Sequence, residues 1–214
     1  MLVKYNSKVL SLLTLAVLLL FTLNSKASSN EQSVLILGDS LSAGYGMELN
    51  QGWVSLTQQY YNETSQDIDL INASISGETT AGGLKRLPAL LEQHQVDWLL
   101  IELGGNDALQ GHPPANIAAN LEAIINIAKQ QQIQVALMQI RIPPNYGKRY
   151  IQTFEQLYPQ IAEQQQVHYL PFFIEDIAQQ PELMQQDGIH PNQQAQSLIS
   201  QKMRAVFKDL LAKN

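Results

Sequence analysis

The chain contains no cysteine. That excludes disulfides, thiolate metal sites, a cysteine nucleophile and a lipid-bearing cysteine behind a leader peptide. Charge is scarce too: Asp, Glu, Lys and Arg make up 15% of the residues, with 13 basic against 19 acidic. No dense Lys/Arg cluster breaks that acidic balance, so nucleic acid is a poor partner. Phosphate-cradling loops are also missing. The turn Gly38-Asp39-Ser40 follows an apolar run but carries a single glycine and no lysine, unlike a dinucleotide fingerprint or a P-loop. No repeat or low-complexity linker divides the sequence, and 214 residues suit one domain with a full-sized core.

What is present begins with a leader. Lys4 and Lys8 precede an almost unbroken apolar stretch from Val9 to Leu23, and Ser25-Lys26-Ala27 puts small residues where a signal peptidase reads them. The competing reading is a membrane anchor, for which the run is short of the ~20 residues that span a bilayer. Residues 1–27 are therefore expected to be a signal peptide, cleaved after Ala27 to release residues 28–214 into the periplasm or the medium. Loss of Lys4, Lys8 and Lys26 turns 13 basic residues against 19 acidic into 10 against 19, so the net charge moves from −6 to −9.

The remainder alternates strands and helices. Val34 to Leu37 is a short Val/Leu/Ile run of the kind buried on both faces of a parallel sheet. A helix is predicted over about 53–61, a strand over Ile68–Asn72, and a helix from about Glu78 to His94 weakened by Gly82, Gly83 and Pro88. Asp97–Leu103 reads as the third strand and stops at Gly104-Gly105-Asn106-Asp107. Pro113-Pro114 opens a helix whose apolar positions run from Ile117 to Ala128. Gln134–Gln139, a helix over about 148–165, Val167–Leu170 and a last helix opened by Pro191 complete the series. This alternation implies a parallel sheet covered by helices on both faces, with ligands bound beyond the carboxyl ends of the strands.

Unusual polar residues fall at those ends. Ser40 follows the first strand, Gly77 the second and Asn106 the third. Taken alone, Asp39 or Ser40 reads equally well as a helix cap, and Gly104-Gly105-Asn106 as an ordinary turn. A nucleophilic serine needs a base, and the base needs an orienting group. His94 and His168 read as surface residues, and His112 as an exposed neighbour of the proline pair. His190 sits in Asp187-Gly188-Ile189-His190-Pro191, where the acid can fold back to Nδ1 and leave Nε2 facing a hydroxyl. A helix start behind His190 disfavours imidazolium and Asp187 favours it, a balance suited to general-base work. The competing reading is an Asp-Gly turn followed by a cap.

Gly38-Asp39-Ser40-Leu41, Gly77, Gly104-x-Asn106-Asp107 and Asp187-x-x-His190 resemble the ordered blocks of the GDSL (SGNH) hydrolases. Within that family, Asn72 to Gly77, Met138 to Arg141, Asn145 to Gly147 and Asp187 to Asn192 resemble a bacterial periplasmic subgroup with thioesterase, protease, lysophospholipase and arylesterase activities. The resemblance implies a three-layer α/β/α fold with a flavodoxin-like, five-stranded parallel sheet. It implies Ser40 as nucleophile, His190 as general base and acid, Asp187 as its orienter, and an oxyanion hole from the Ser40 and Gly77 N–H groups and the Asn106 side chain. Leu41, Ala108, Leu109, Ile142, Pro143 and Tyr146 are the implied acyl-binding residues, while His112 and Pro144 mark local departures. No cofactor or metal is implied; the expected partner is a small acyl ester or thioester, met by a monomer without stable membrane insertion. A carbohydrate O-deacetylase and a non-catalytic α/β binding domain are the competing functions. The apolar loop after the fourth strand argues against the first, and the absent phosphate loops argue against the second.

Overall fold

A computed structural model describes residues 31–212; the expected signal peptide, residues 1–27, lies outside the described residues. Five strands form one sheet: β1 (Gln32–Gly38), β2 (Ile68–Asn72), β3 (Trp98–Glu102), β4 (Gln134–Met138) and β5 (His168–Leu170). All neighbours are parallel and the order is β2-β1-β3-β4-β5, so the expected flavodoxin-like three-layer α/β/α architecture is found. The helices are α1 (Ser40–Ala43), α2 (Trp53–Glu63), α3 (Thr80–Gln93), α4 (Gly105–Leu109), α5 (Pro114–Gln130), α6 (Lys148–Gln165) and α7 (Gln193–Leu211).

The central strands are apolar on both faces because both faces are covered. Val34, Ile36, Trp98, Leu100 and Met138 pack with α2 and α7 through Trp53, Ile199, Met203 and Phe207. Their neighbours Leu35, Leu37, Leu99, Ile101 and Leu137 pack with α3, α5 and α6 through Leu87, Ile117, Leu121, Phe154 and Tyr158. This alternation along each strand decides which side chain enters which layer. The strand order changes direction at β1, which lies between β2 and β3, the kind of position beyond whose strand ends open α/β sheets bind ligands.

Three local expectations change. The α3 helix runs unbroken through Gly82, Gly83 and Pro88. A Cβ at Gly83 would lie 2.4 Å from a Leu103 methyl, so tight helix–sheet packing offsets glycine's poor propensity. The last helix begins at Gln193 rather than Pro191, because Asn192 is its cap: the Asn192 side chain accepts the N–H groups of Gln194 and Ala195. Gly105–Leu109 is a short helix rather than a plain turn, so Asn106 lies in its first turn.

Candidate active site

Ser40 is delivered by the abrupt end of β1. Asp39 caps α1, its Oδ1 accepting the Leu41 N–H at 3.1 Å, so the cap role falls to Asp39 and leaves the Ser40 hydroxyl free to face outward. Gly38 lies opposite Glu102 in the β1–β3 register, and a Cβ there would come within 2.6 Å of Glu102 Oε2 and 2.7 Å of Ser74 Oγ. Only glycine lets the two strand ends and the β2 loop close on one another at this point.

His190 arrives from the other end of the chain. Asp187 Oδ1 accepts the backbone N–H groups of Ile189 (2.9 Å) and His190 (3.0 Å), which folds residues 187–190 into one tight turn with Gly188 at φ +67°. Asp187 Oδ2 then lies 2.7 Å from His190 Nδ1, and His190 Nε2 lies 2.8 Å from Ser40 Oγ. The carboxylate assigns the proton to Nδ1, so Nε2 accepts from the serine O–H. Partial burial pushes the Asp187 carboxyl up, but the two N–H groups and the imidazole outweigh it and hold the carboxyl below its ordinary value.

The loop carrying this turn is tied down by side-chain amides. Gln185 Nε2 donates to the carbonyls of Tyr45 (2.8 Å) and Pro191 (3.1 Å), and its N–H donates to the His190 carbonyl (2.7 Å). Asn192 Nδ2 donates to the Glu182 carbonyl at 2.7 Å. Tyr45 lays its ring on the imidazole, centroids 4.4 Å apart. Nothing in the sequence spacing singles out Tyr45, since a residue in a Gly-Tyr-Gly turn shows no periodicity to read.

Beside the serine, Gly77 (φ +82°) and Asn106 face one cavity of about 380 Å³. Asn106 Nδ2 donates to Asp39 Oδ2 at 3.1 Å and to the Glu78 carbonyl at 3.0 Å, so both amide hydrogens are engaged. Asp107, the next residue, accepts both the N–H (2.8 Å) and the hydroxyl (2.6 Å) of Thr80, pinning α4 to the start of α3. Burial is the main reason the Asp39 carboxyl is pushed up from 3.8 to about 6, with partial relief from the Leu41 N–H.

Of the six expected acyl-binding residues, Leu41, Leu109, Ile142 and Pro143 line the cavity. Ala108 is corrected: it is fully buried in the α3/α5/α6 layer, because it sits on the inner side of α4, and it cannot meet a ligand. Tyr146 is corrected as well, since its ring packs onto that same core layer and not into the cavity. Ile140, Arg141 and Ile189 line the cavity without having been anticipated. They leave β4 or flank His190, and only the paired loops reveal that they converge. Arg141 is ion-paired with Glu175. His94 and His112 do not line the cavity, and His112 is exposed as expected. Contrary to its surface reading, His168 is half-buried with its ring against Trp98.

The family model for GDSL-like lipases and acylhydrolases matches residues 36–198. The chain belongs to that family. It is 50% identical over 184 residues to an arylesterase of Vibrio mimicus, covering 86% of this chain and 92% of that one. It is 45% identical over 195 residues to thioesterase 1/protease 1/lysophospholipase L1 of Escherichia coli K12, covering 91% and 90%. Among solved structures, the psychrotrophic esterase EstA from Pseudoalteromonas sp., inhibited by monoethylphosphonate, matches with a TM-score of 0.83 at 47% identity, covering 85% of this chain and 100% of that one. The protein is thus a hydrolase of the GDSL type, with relatives named for esterase, thioesterase and lysophospholipase activity. No helix among the described residues is long and apolar enough to cross a membrane.

Proposed function

We propose that the protein is an exported serine esterase and thioesterase that works through an acyl-enzyme formed on Ser40. The observation that carries this reading is the unbroken series Ser40 Oγ–His190 Nε2–His190 Nδ1–Asp187 Oδ2, with contacts of 2.8 and 2.7 Å. Ser40 Oγ attacks the acyl carbon while His190 Nε2 takes the hydroxyl proton and Asp187 balances the resulting imidazolium. The carbonyl π pair moves to oxygen. That oxyanion meets the Ser40 and Gly77 N–H groups and the Asn106 amide, each such donor worth ~3–4 kcal/mol in related sites. Asp39 keeps one Asn106 hydrogen, and the oxyanion takes the other from the Glu78 carbonyl, which follows Gly77 directly in the chain. Collapse of the intermediate expels the alkoxide or thiolate, which receives the proton from His190. Water, deprotonated by the same nitrogen, then attacks the acyl-serine and releases the carboxylic acid and Ser40.

The substrate class follows from the walls. Leu41, Leu109, Ile140, Ile142, Pro143 and Ile189 give the cavity an apolar lining suited to an acyl chain, lysophospholipids included, and ill suited to a sugar. Export rests on the basic-apolar-small pattern of residues 1–27. The decisive experiment pairs p-nitrophenyl ester turnover with labelling by an alkylphosphonate, the class of reagent that inhibits the Pseudoalteromonas relative. Ser40→Ala should lose ~10⁶-fold in kcat, melt like wild type and take up no phosphonate. Turnover near the wild-type rate, or a label on another residue, would overturn the assignment.

A further inference from the structure

Directly beneath the nucleophile turn lies an acid that the reaction above does not use. Glu102 ends β3 opposite Gly38 and is 0% exposed. Its Oε2 accepts the Ser42 hydroxyl at 2.7 Å and the Asp39 N–H at 3.3 Å. Its Oε1 is buried and receives no donor, an arrangement that would cost an ionised carboxylate heavily. The Glu102 carboxyl nevertheless lies against Asp39, whose N–H it accepts, and both acids are buried; two carboxyls so placed are not both ionised, and one of them keeps a proton. Asp39 already accepts at both oxygens, from Leu41 N–H at Oδ1 and from Asn106 Nδ2 at Oδ2, and so behaves as the anion. Glu102 is then the acid, and a proton on Oε1 gives the orphaned oxygen a bond to make.

We propose that Glu102 is a positioning residue: as a neutral carboxylic acid it donates to the Asp39 carboxylate, and Asp39 in turn holds the Asn106 amide where the oxyanion forms. The inference rests on the oxyanion role of Asn106 given above and adds the source of that amide's orientation. Burial and the adjacent Asp39 charge both push Glu102 well above its ordinary value, in keeping with a retained proton. Apart from Glu102, the charges acting on Asp39 are His190 and Asp107, and Tyr158 lies within electrostatic reach of both acids. The close approach at Gly38 has a reason in this light, since any side chain there would occupy the place of the Glu102 carboxyl.

A double-mutant cycle tests the chain of contacts. Asn106→Ala should lower kcat by ~10²–10³-fold, the worth of one oxyanion donor. Glu102→Leu should lower kcat by no more than that with KM unchanged, and Glu102→Gln, which can still donate to Asp39 and accept from Ser42, should recover most of the rate. If Glu102 acts through Asn106, the double variant Glu102→Leu/Asn106→Ala is within about twofold of Asn106→Ala alone. Losses that multiply, or a Gln variant no better than Leu, overturn the inference while leaving the oxyanion reading intact. Wild-type turnover by Asn106→Ala would instead overthrow the oxyanion reading and this inference with it. A second measurement needs no folded Leu variant: infrared spectra of the wild-type enzyme above pH 7 should carry a carboxylic-acid C=O band that Glu102→Gln lacks. Its absence from wild type, or its persistence in Glu102→Gln, sinks the proposal.

Discussion

Ser40 rests on a turn with buried carboxyls beneath it, whereas His190 hangs from a loop whose acid, Asp187, is 37% exposed. The Ser40 turn is fixed from below: Glu102 ends β3, Asp39 caps α1, Ser42 lies in α1 and Asn106 in α4, and each is tied to another of them. The histidine turn is fixed from within, by one carboxylate that binds two N–H groups and the imidazole of residues two and three positions on. The difference shows two ways of holding polar side chains at hydrogen-bond distance. One uses core packing and tolerates almost no added atom; the other uses a short polar loop and tolerates change wherever its few hydrogen bonds survive.

The largest effect should come from breaking the loop's own device. Asp187→Asn keeps the shape of the turn but lets the imidazole take the wrong tautomer, and kcat should fall by ~10⁴-fold with little change in melting temperature. Steady-state kinetics beside a thermal melt reads both. The packed side should respond in the opposite currency. Gly38→Ala drives a methyl into Glu102 Oε2 and Ser74 Oγ and should cost ~1–3 kcal/mol of stability, lowering Tm by roughly 2–4 °C per kcal/mol for a domain of this size. Gly188→Ala meets no atom within 4 Å and bears only the strain of its positive φ, ~1–2 kcal/mol, so calorimetry should find it the milder of the two.

The smallest effect is one of sign with pH. Asp39 and Glu102 bind protons more tightly folded than unfolded, so their contribution to stability is fullest at low pH. It fades as pH rises from about 4 through the Asp39 value of about 6 and on towards that of Glu102. Asp187 is shifted the other way: its contribution is complete above the ordinary carboxylate value of 3.8 and is lost as pH falls below it. Melting temperatures across pH 3 to 9 should therefore decline towards high pH in wild type and decline less in Glu102→Gln, while Asp187→Asn should flatten only the slope below about pH 4. An unaltered alkaline slope in Glu102→Gln would contradict the raised Glu102 value.

Much of this was legible in the residues themselves. The β1 and β3 runs are apolar at successive positions because both sheet faces are covered, and that pattern reads directly from Val34 to Leu37 and from Trp98 to Ile101. The Asp187–His190 contact was legible because it closes over three residues. Contacts made across the fold were not. Leu109 could be placed by its loop, but its neighbour Ala108 turned out to face the core, because the five-residue helix α4 is too short to show a periodicity. Tyr146 was misplaced for a similar reason, its 3₁₀ turn at Pro144–Tyr146 rotating the ring onto the helices. Glu102 reads as the polar end of an apolar strand, and only the pairing of β3 with β1 reveals what it lies under.

The hydrogen bond between Ser40 and His190 joins residues 150 apart in sequence, and the helices that brace the two ends are nearly as distant. The Trp53 N–H in α2 donates to Gln196 in α7, and Thr57 bonds Ser200, each across 143 positions. Loops of that length close late, after local helices and neighbouring strands have formed. A chain growing from its amino terminus carries Ser40, the proposed nucleophile, from the first strand onward but gains its proposed base only when its final fifth has docked. Hydrolytic power is therefore among the last properties the molecule acquires, and a nascent or truncated chain ending before His190 holds Ser40 as an ordinary alcohol.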